Sequence, residues 1–364
     1  MNKTVIAALA FSASVFATSG HADGDHSQGS TAPINANGHA PIGVMGDHLH
    51  KQGEFMVSYR FMRMDMQGNR QGTNSISDDA IATGIPNRFA GMPGQPPTLR
   101  IVPQDMTMDM HMFGAMYAPS DRVTLMAMLP YLKKDMTLTT YQGGMGTNRL
   151  GNFSTSSEGI GDIKAGALVG LMDSKAHKVH LNLGMSLPTG SITERGNVLT
   201  PMGMTTNVRL PYSMQLGSGT YDLLPGVTYT GNSGMFNWGS QLRGTIRLGE
   251  NDESYTLGDE AAVTAWASVQ PQPWVSLSGR VEAKKLGRIE GMDTNIMGPV
   301  QTADPDNYGG ETVNMFVGAN FVAQRGALRG HRLALEAGYP IYQNLNGVQM
   351  ETDWTLNAGW QLAF

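Results

Sequence analysis

The chain has 364 residues, no cysteine, 46 glycines and 26 methionines, with a formal charge of −5. Only 15% of its residues are charged, against roughly 25% in an average soluble domain. No basic footprint for DNA or RNA exists, and the lack of cysteine removes disulfide scaffolds, cysteine-ligated metals and cysteine nucleophiles.

Residues 1–22 read as an export signal. Lys3 gives the positive start, an apolar run follows from Val5 to Ala17, and Gly20, His21 and Ala22 mark the expected cleavage point. The run is shorter than the ~20 residues a membrane helix needs. Residues 23–53 form a separate N-terminal segment with two open readings, a plug folded inward or a periplasmic tail. Within it, Met45-Gly46-Asp47-His48-Leu49-His50 places His48 and His50 on one side of an extended chain. They are candidate metal ligands, with Met45 or Asp47 to complete the shell. The same spacing also occurs in plain solvent-exposed linkers.

From residue 54 onward the chain alternates with period two, the signature of strands with one apolar and one polar face. In 54–64, Phe55, Val57, Tyr59 and Phe61 face one way, and Met56, Ser58, Arg60, Met62 and Met64 the other. A Pro-rich loop is expected over 65–104. In 105–117, Met106, Met108, Met110, Met112 and Met116 oppose Thr107, Asp109 and His111. A charge facing lipid costs ~2–4 kcal/mol at the midplane, so Asp109 and His111 are expected inside and these methionines against lipid. In 122–138, Val123, Leu125, Ala127 and Leu129 face outward, with Met126 and Met128 inward. The expectation is a luminal patch of Met62, Met64, Met126 and Met128 around Asp109 and His111. Thioethers and imidazole suit copper(I); the alternative is methionine as flexible filler.

Further strands are expected at 158–172, 177–187, 216–230, 235–248, 257–270, 274–288, 310–324, 330–340 and 350–364. That makes about twelve, with short and long connections alternating. Short periplasmic turns and long outer loops mark an outer-membrane barrel; a soluble sandwich has no reason to alternate loop lengths. The fold class is therefore all-β, a transmembrane antiparallel up-and-down β-barrel over 54–364. The faces opposite the apolar ones would line the lumen: Asp162, Lys164, His180, Asp222, Arg243, Arg247, Glu260, Arg280, Glu282, Lys284, Arg332, Glu336 and Asp353. Both signs occur in number, so a polar conduction path and an ion-paired packing core both stay open.

Glu158-Gly159-Ile160-Gly161-Asp162-Ile163, Leu183-Gly184-Met185-Ser186-Leu187-Pro188-Thr189-Gly190-Ser191 and Gly217-Ser218-Gly219-Thr220-Tyr221-Asp222-Leu223-Leu224-Pro225-Gly226 carry a resemblance. The chain resembles the outer-membrane transporter family named for the meta-pathway of phenol degradation, over most of 45–364. The resemblance implies a porin-like barrel for hydrophobic or aromatic compounds. Its motifs are structural, and no functional residue carries over from them.

No G-x-S-x-G elbow, H-E-x-x-H pair or P-loop occurs, so no catalytic residue is assigned and a non-enzyme is expected. No cofactor is expected apart from the copper alternative. Expected partners are outer-membrane lipid, a small-molecule solute and the barrel-assembly machinery, with no nucleic acid; a homo-oligomer stays open. The expected location is the outer membrane of a Gram-negative bacterium after export. Three functions follow: passage of small solutes, hydrophobic or aromatic ones included; copper handling; or a non-conducting structural barrel.

Overall fold

The computed structural model describes residues 33–364; the expected export signal, and residues 23–32 of the segment after it, lie outside the described residues. The elements are β1 (Phe55–Gly72), β2 (Asn74–Ile76), α1 (Asp78–Gly84), β3 (Ile101–Ser120), β4 (Val123–Tyr141) and β5 (Arg149–Ile160). There follow β6 (Ile163–Asp173), β7 (His177–Leu187), β8 (Arg195–Leu199), β9 (Thr205–Arg209), β10 (Tyr221–Ser233) and β11 (Phe236–Leu248). The last are β12 (Tyr255–Thr256), β13 (Glu260–Gln272), β14 (Val275–Leu286), β15 (Glu290–Gly291), β16 (Gly310–Val322) and β17 (Arg332–Ala363).

One antiparallel sheet runs β17-β16-β14-β13-β11-β10-β7-β6-β4-β3-β1 and closes because β1 pairs back onto β17. The closed ring has no unpaired edge, the condition for a sheet to sit in lipid. β17 doubles back on itself. Trp360 Nε1 donates to His331 Nδ1 at 3.1 Å, and the Gln343 side chain exchanges hydrogen bonds with the Thr352 backbone. The chain reverses at Gly347, whose φ of 60° suits glycine. Ten ring elements thus cross the wall once and β17 crosses twice, twelve crossings in all. β5 stands outside the ring path; it pairs with β4 on the loop side of the Gly161–Asp162 corner and hands that edge to β6.

Phe55 and Phe364 exchange two backbone hydrogen bonds of 2.8 Å where the ring closes. Tight turns such as 121–122, 174–176 and 234–235 share this terminal end; the opposite, loop end carries 73–100, 188–220, 249–259 and 287–309. Among the described residues, no helix is long and apolar enough to cross a membrane, which says nothing of strands.

The strands are longer than their alternation suggests. β1, β3 and β4 run 18, 20 and 19 residues, against the ~9–11 that a bilayer requires. The expected loops 65–104 and 139–157 therefore shrink to 73–100 and 142–148, and 341–349 becomes the tip of a continuous hairpin. The outward face shows the cause. On β1 it is apolar from Phe55 to Phe61, then turns to Arg63 and Asp65. On β4 it is apolar from Val123 to Tyr131, then turns to Lys133 and Asp135. The apolar band takes up only the terminal-end part of these long strands, and beyond it their outward face is polar. Inside the band the outward side chains are bare: Val317 is 63% exposed and Leu183 52%.

Candidate lumen and internal segment

Residues 33–53 lie inside the ring. Ile34 exchanges hydrogen bonds with the Gln324 side chain, and Arg332 donates to the Asn35 carbonyl at 2.9 Å. Arg60 donates to the carbonyls of Ile42 and Val44. His180 and Asn182 both meet the Gly46 carbonyl at 2.9 Å, and Gln241 donates to that of Met45. Thr124 accepts from the His50 amide. These anchors sit on β1, β4, β7, β11 and β17, around the whole circumference, so the wall encloses the segment. Ile34, Ala36, Ile42 and Val44 are each at most 5% exposed. Burying apolar side chains while wall groups satisfy the backbone is what allows an irregular strand in this interior.

Two glycines let the segment approach the wall. A Cβ on Gly43 would stand 2.3 Å from Glu336 Oε2 and 2.4 Å from Arg280 Nη2. Gly46 has φ of 61°, and its Cβ would stand 2.8 Å from Asn182 Nδ2.

The lumen has two unlike sides. From β10 to β17 it is ion-paired. Arg280 grips Glu336 through two bonds of 2.8 and 2.9 Å, with its guanidinium 3.7 Å from the centroid of Phe316. Arg243 bridges Glu260 and Glu282, and Arg247 meets Asp222 at 2.5 Å. Lys164 shares the inward face with Met128, its direct cross-strand partner. Lys284 stands opposite Ala262, which is 2% exposed.

From β1 to β4 the lumen is lined by thioether. Directly opposed residues on neighbouring strands share a face. Met56 opposes Met116, Met62 opposes Met110, Met64 opposes Met108 and Met66 opposes Met106. Across the next ladder Met106 opposes Met136, and Met116 opposes Met126. Inwardness is fixed by Arg60 on this face, which binds the internal segment, and by Met56, Met106, Met112 and Met136, all buried. With Met128 the wall holds twelve methionines on three adjacent strands. The outward face of the same strands carries Phe, Tyr, Val, Leu and Ala across the lipid band, and no methionine.

This reverses one expectation. The methionines of β3 face inward, and Asp109 and His111 face outward. Asp109 pairs with Arg63 through two bonds of 2.6 Å, and His111 meets the Tyr59 hydroxyl at 2.7 Å. The rule against charge on lipid does not bind them: Asp109 lies past the apolar band, level with Arg63 and Lys133, and His111 sits at its rim, level with Phe61 and Tyr131. Met62, Met64, Met126 and Met128 do face inward, but Asp109 and His111 cannot join them. Two other lumen candidates sit elsewhere. Asp162 leaves the wall at the corner and holds Gly190 and Ser218 of the long loop. Asp353 is the unpaired residue of a bulge between Thr352 and Trp354 and is exposed.

His48 and His50 lie on the internal segment and meet a partner that spacing did not single out. The chain reverses through Pro41, Gly43 and Gly46 and brings His39 back against them. The ring centroids of His39 and His48 are 4.1 Å apart, and those of His48 and His50 4.6 Å. Asp47 accepts from the Ala40 amide at 2.8 Å and lies 3.0 Å from His48 Nδ1. Burial, with Arg332 and His48 nearby, pulls the His39 imidazole well below its usual range; burial likewise lowers His50, against the opposing pull of Glu54. Burial pushes the Asp47 carboxyl up, but the His48 charge and hydrogen bond, with His39 and the Ala40 amide, outweigh it and hold the group low. The cluster thus sets an ionised carboxylate beside His39 and His50, whose burial favours the neutral form.

The loop end carries an apolar cluster. Phe89, Met106, Met136, Leu210, Tyr212, Met214, Tyr255 and Ile296 form one buried cluster that joins the loops to the top of the methionine wall. Lys134 draws the 210–216 stretch down by donating to the carbonyls of Ser213 and Gln215. Arg100, fully buried, donates to the carbonyls of Ala82, Gln142, Gly143, Met145 and Gly146.

No protein-family model and no curated protein matches the chain. Solved structures do. An outer-membrane channel from Pseudomonas putida F1 aligns with TM-score 0.56 and 13% identity, covering 88% of this chain and 99% of that one. The TodX monoaromatic hydrocarbon channel, as a deltaS2 mutant, aligns at 0.45 and 8%, covering 87% and 91%. A Pseudomonas aeruginosa FadL homologue aligns at 0.43 and 9%, covering 91% and 98%. At these identities the first likeness speaks to fold alone: the fold is that of an outer-membrane β-barrel channel.

Proposed function

We propose that this protein sits in the outer membrane of a Gram-negative bacterium and passes small apolar solutes, aromatic compounds included, along its methionine wall. One observation carries the reading. Twelve thioether side chains form a continuous inward face from the internal segment to the apolar loop cluster. A water-filled pore has no use for such a face. An apolar solute does, because flexible, polarisable methionine adapts to irregular shapes. The resemblance to the phenol-pathway transporter family and the fold shared with an outer-membrane channel support the same reading. The internal segment lies within the ring and the loop cluster packs at its loop end, so in this reading solute passes beside them or displaces them.

A second reading has its own observation. On β1, β3 and β4 methionine is segregated to the inner face, whereas valine, leucine, tyrosine and phenylalanine serve the outer one. Thioethers also suit soft monovalent cations such as copper(I) or silver(I).

Paired substitutions separate the readings. Replacing Met62, Met64 and Met110 by leucine keeps the wall apolar and removes sulfur; replacing them by glutamine removes both. Uptake of radiolabelled toluene into cells producing each variant is the measurement. Apolar passage requires the leucine variant to keep most of its rate and the glutamine variant to lose it several-fold. Equal rates for the two variants reject it. Loss of silver(I) accumulation in the leucine variant selects the second reading.

A further inference from the structure

The internal segment carries a compact set of metal donors that apolar passage leaves without a role. One ligand atom from each of His39, Asp47 and His48 lies within 4.8 Å of the others. His39 Nδ1, His48 Nε2 and His50 Nε2 are buried and have no hydrogen-bond partner among the described residues. His50 is only 6% exposed. Buried polar atoms in native structures are almost always satisfied, so three orphaned imidazole nitrogens in one cluster mark a missing partner. A cavity of about 120 Å³ opens beside them, lined in part by Asp47, Glu54 and Met56.

We propose that His39, Asp47 and His48, with His50 as fourth donor, bind one borderline divalent ion, zinc(II) or copper(II). Three imidazoles and one carboxylate match both ions. All four donors belong to the internal segment. The ion therefore joins its outgoing arm at residue 39 to its returning arm at 47–50, and fixes the reversal that places Gly43 against Arg280 and Glu336. It acts as a clip on the segment's shape. The site stands whether or not the barrel passes apolar solutes.

The test uses the full-length, untagged barrel in detergent, stripped with chelator and desalted. Zinc(II) and copper(II) are titrated separately by calorimetry, and bound metal is counted by mass spectrometry. One ion per chain at micromolar affinity or tighter is expected for at least one of the two metals. His39→Ala and His48→Ala should each weaken it at least tenfold, and His111→Ala, on the outward face, should leave it unchanged. Asp47→Asn preserves side-chain shape and should weaken binding even where the alanine variants misfold. The copper(II) spectrum in electron paramagnetic resonance should show coupling to at least two nitrogens. No stoichiometric binding of either metal overturns the proposal. So does binding that survives all three substitutions, or a copper signal without nitrogen coupling.

Discussion

Gly43 touches Glu336. A Cβ at residue 43 would come within 2.3 Å of the Glu336 carboxylate and 2.4 Å of the arginine that it pairs with. The internal segment is thus seated on a buried ion pair at this turn, and a side chain at residue 43 would have to displace that pair. Gly43→Val should displace the segment while leaving the ring intact. Planar-bilayer recordings should show conductance raised several-fold over the parent, with unchanged heat-modifiability on SDS gels. Parent-like conductance would mean that the segment does not restrict the lumen.

The Arg280–Glu336 pair itself is buried at both ends, with side chains 3% and 1% exposed. Removing one partner of such a pair leaves an uncompensated charge and costs about 3–5 kcal/mol, whereas replacing both by apolar groups is often neutral. Glu336→Gln should lower the unfolding midpoint in denaturant clearly. The double variant Arg280→Met with Glu336→Leu should recover most of the loss.

Arg100 joins α1 to the 142–146 loop through carbonyls alone. Arg100→Met removes every one of those donors and keeps much of the volume. The ring does not depend on them, so thermal stability of the barrel should stay close to the parent. Proteolysis of the loops in intact cells should speed up about tenfold.

Tyr212 packs edge-on against Tyr255 and Tyr308, and its hydroxyl accepts from the Asp293 amide at 3.1 Å. Burial pushes its phenol up to about 12 from an ordinary 10. The neutral form is the one folded into the cluster. Its contribution is therefore complete below pH 10 and is lost as pH rises towards 12. Tyrosinate absorbance at 295 nm should show a late-titrating fraction over that window, and Tyr212→Phe should remove part of it.

On the outer face, Val317 lies in the apolar band, whereas Asp135 lies beyond it. Val317→Arg should cost ~2–4 kcal/mol of folding stability in lipid vesicles, as expected for a charge near the midplane. Asp135→Arg should cost at most a small fraction of that. Equal costs would place the band elsewhere.

Alternation alone was enough for the closed antiparallel ring, the two unlike ends and the outward apolar face, because a strand side chain has only two directions to take. It placed Met62, Met64, Met126 and Met128 on the inner face, and Arg280, Glu336 and His180 in the interior. It misplaced the methionines of β3 because it assumed that all of a strand lies in lipid. The ladder to β1 decided that point, since residues opposed across a strand pair must share a face. The place of His39 in the cluster was not legible for a different reason. Its meeting with Asp47, His48 and His50 depends on an irregular reversal enclosed by the barrel, and no periodicity encodes that path. The anchors that hold it, from Arg60 to Arg332, are scattered across the chain and become neighbours only when the ring closes.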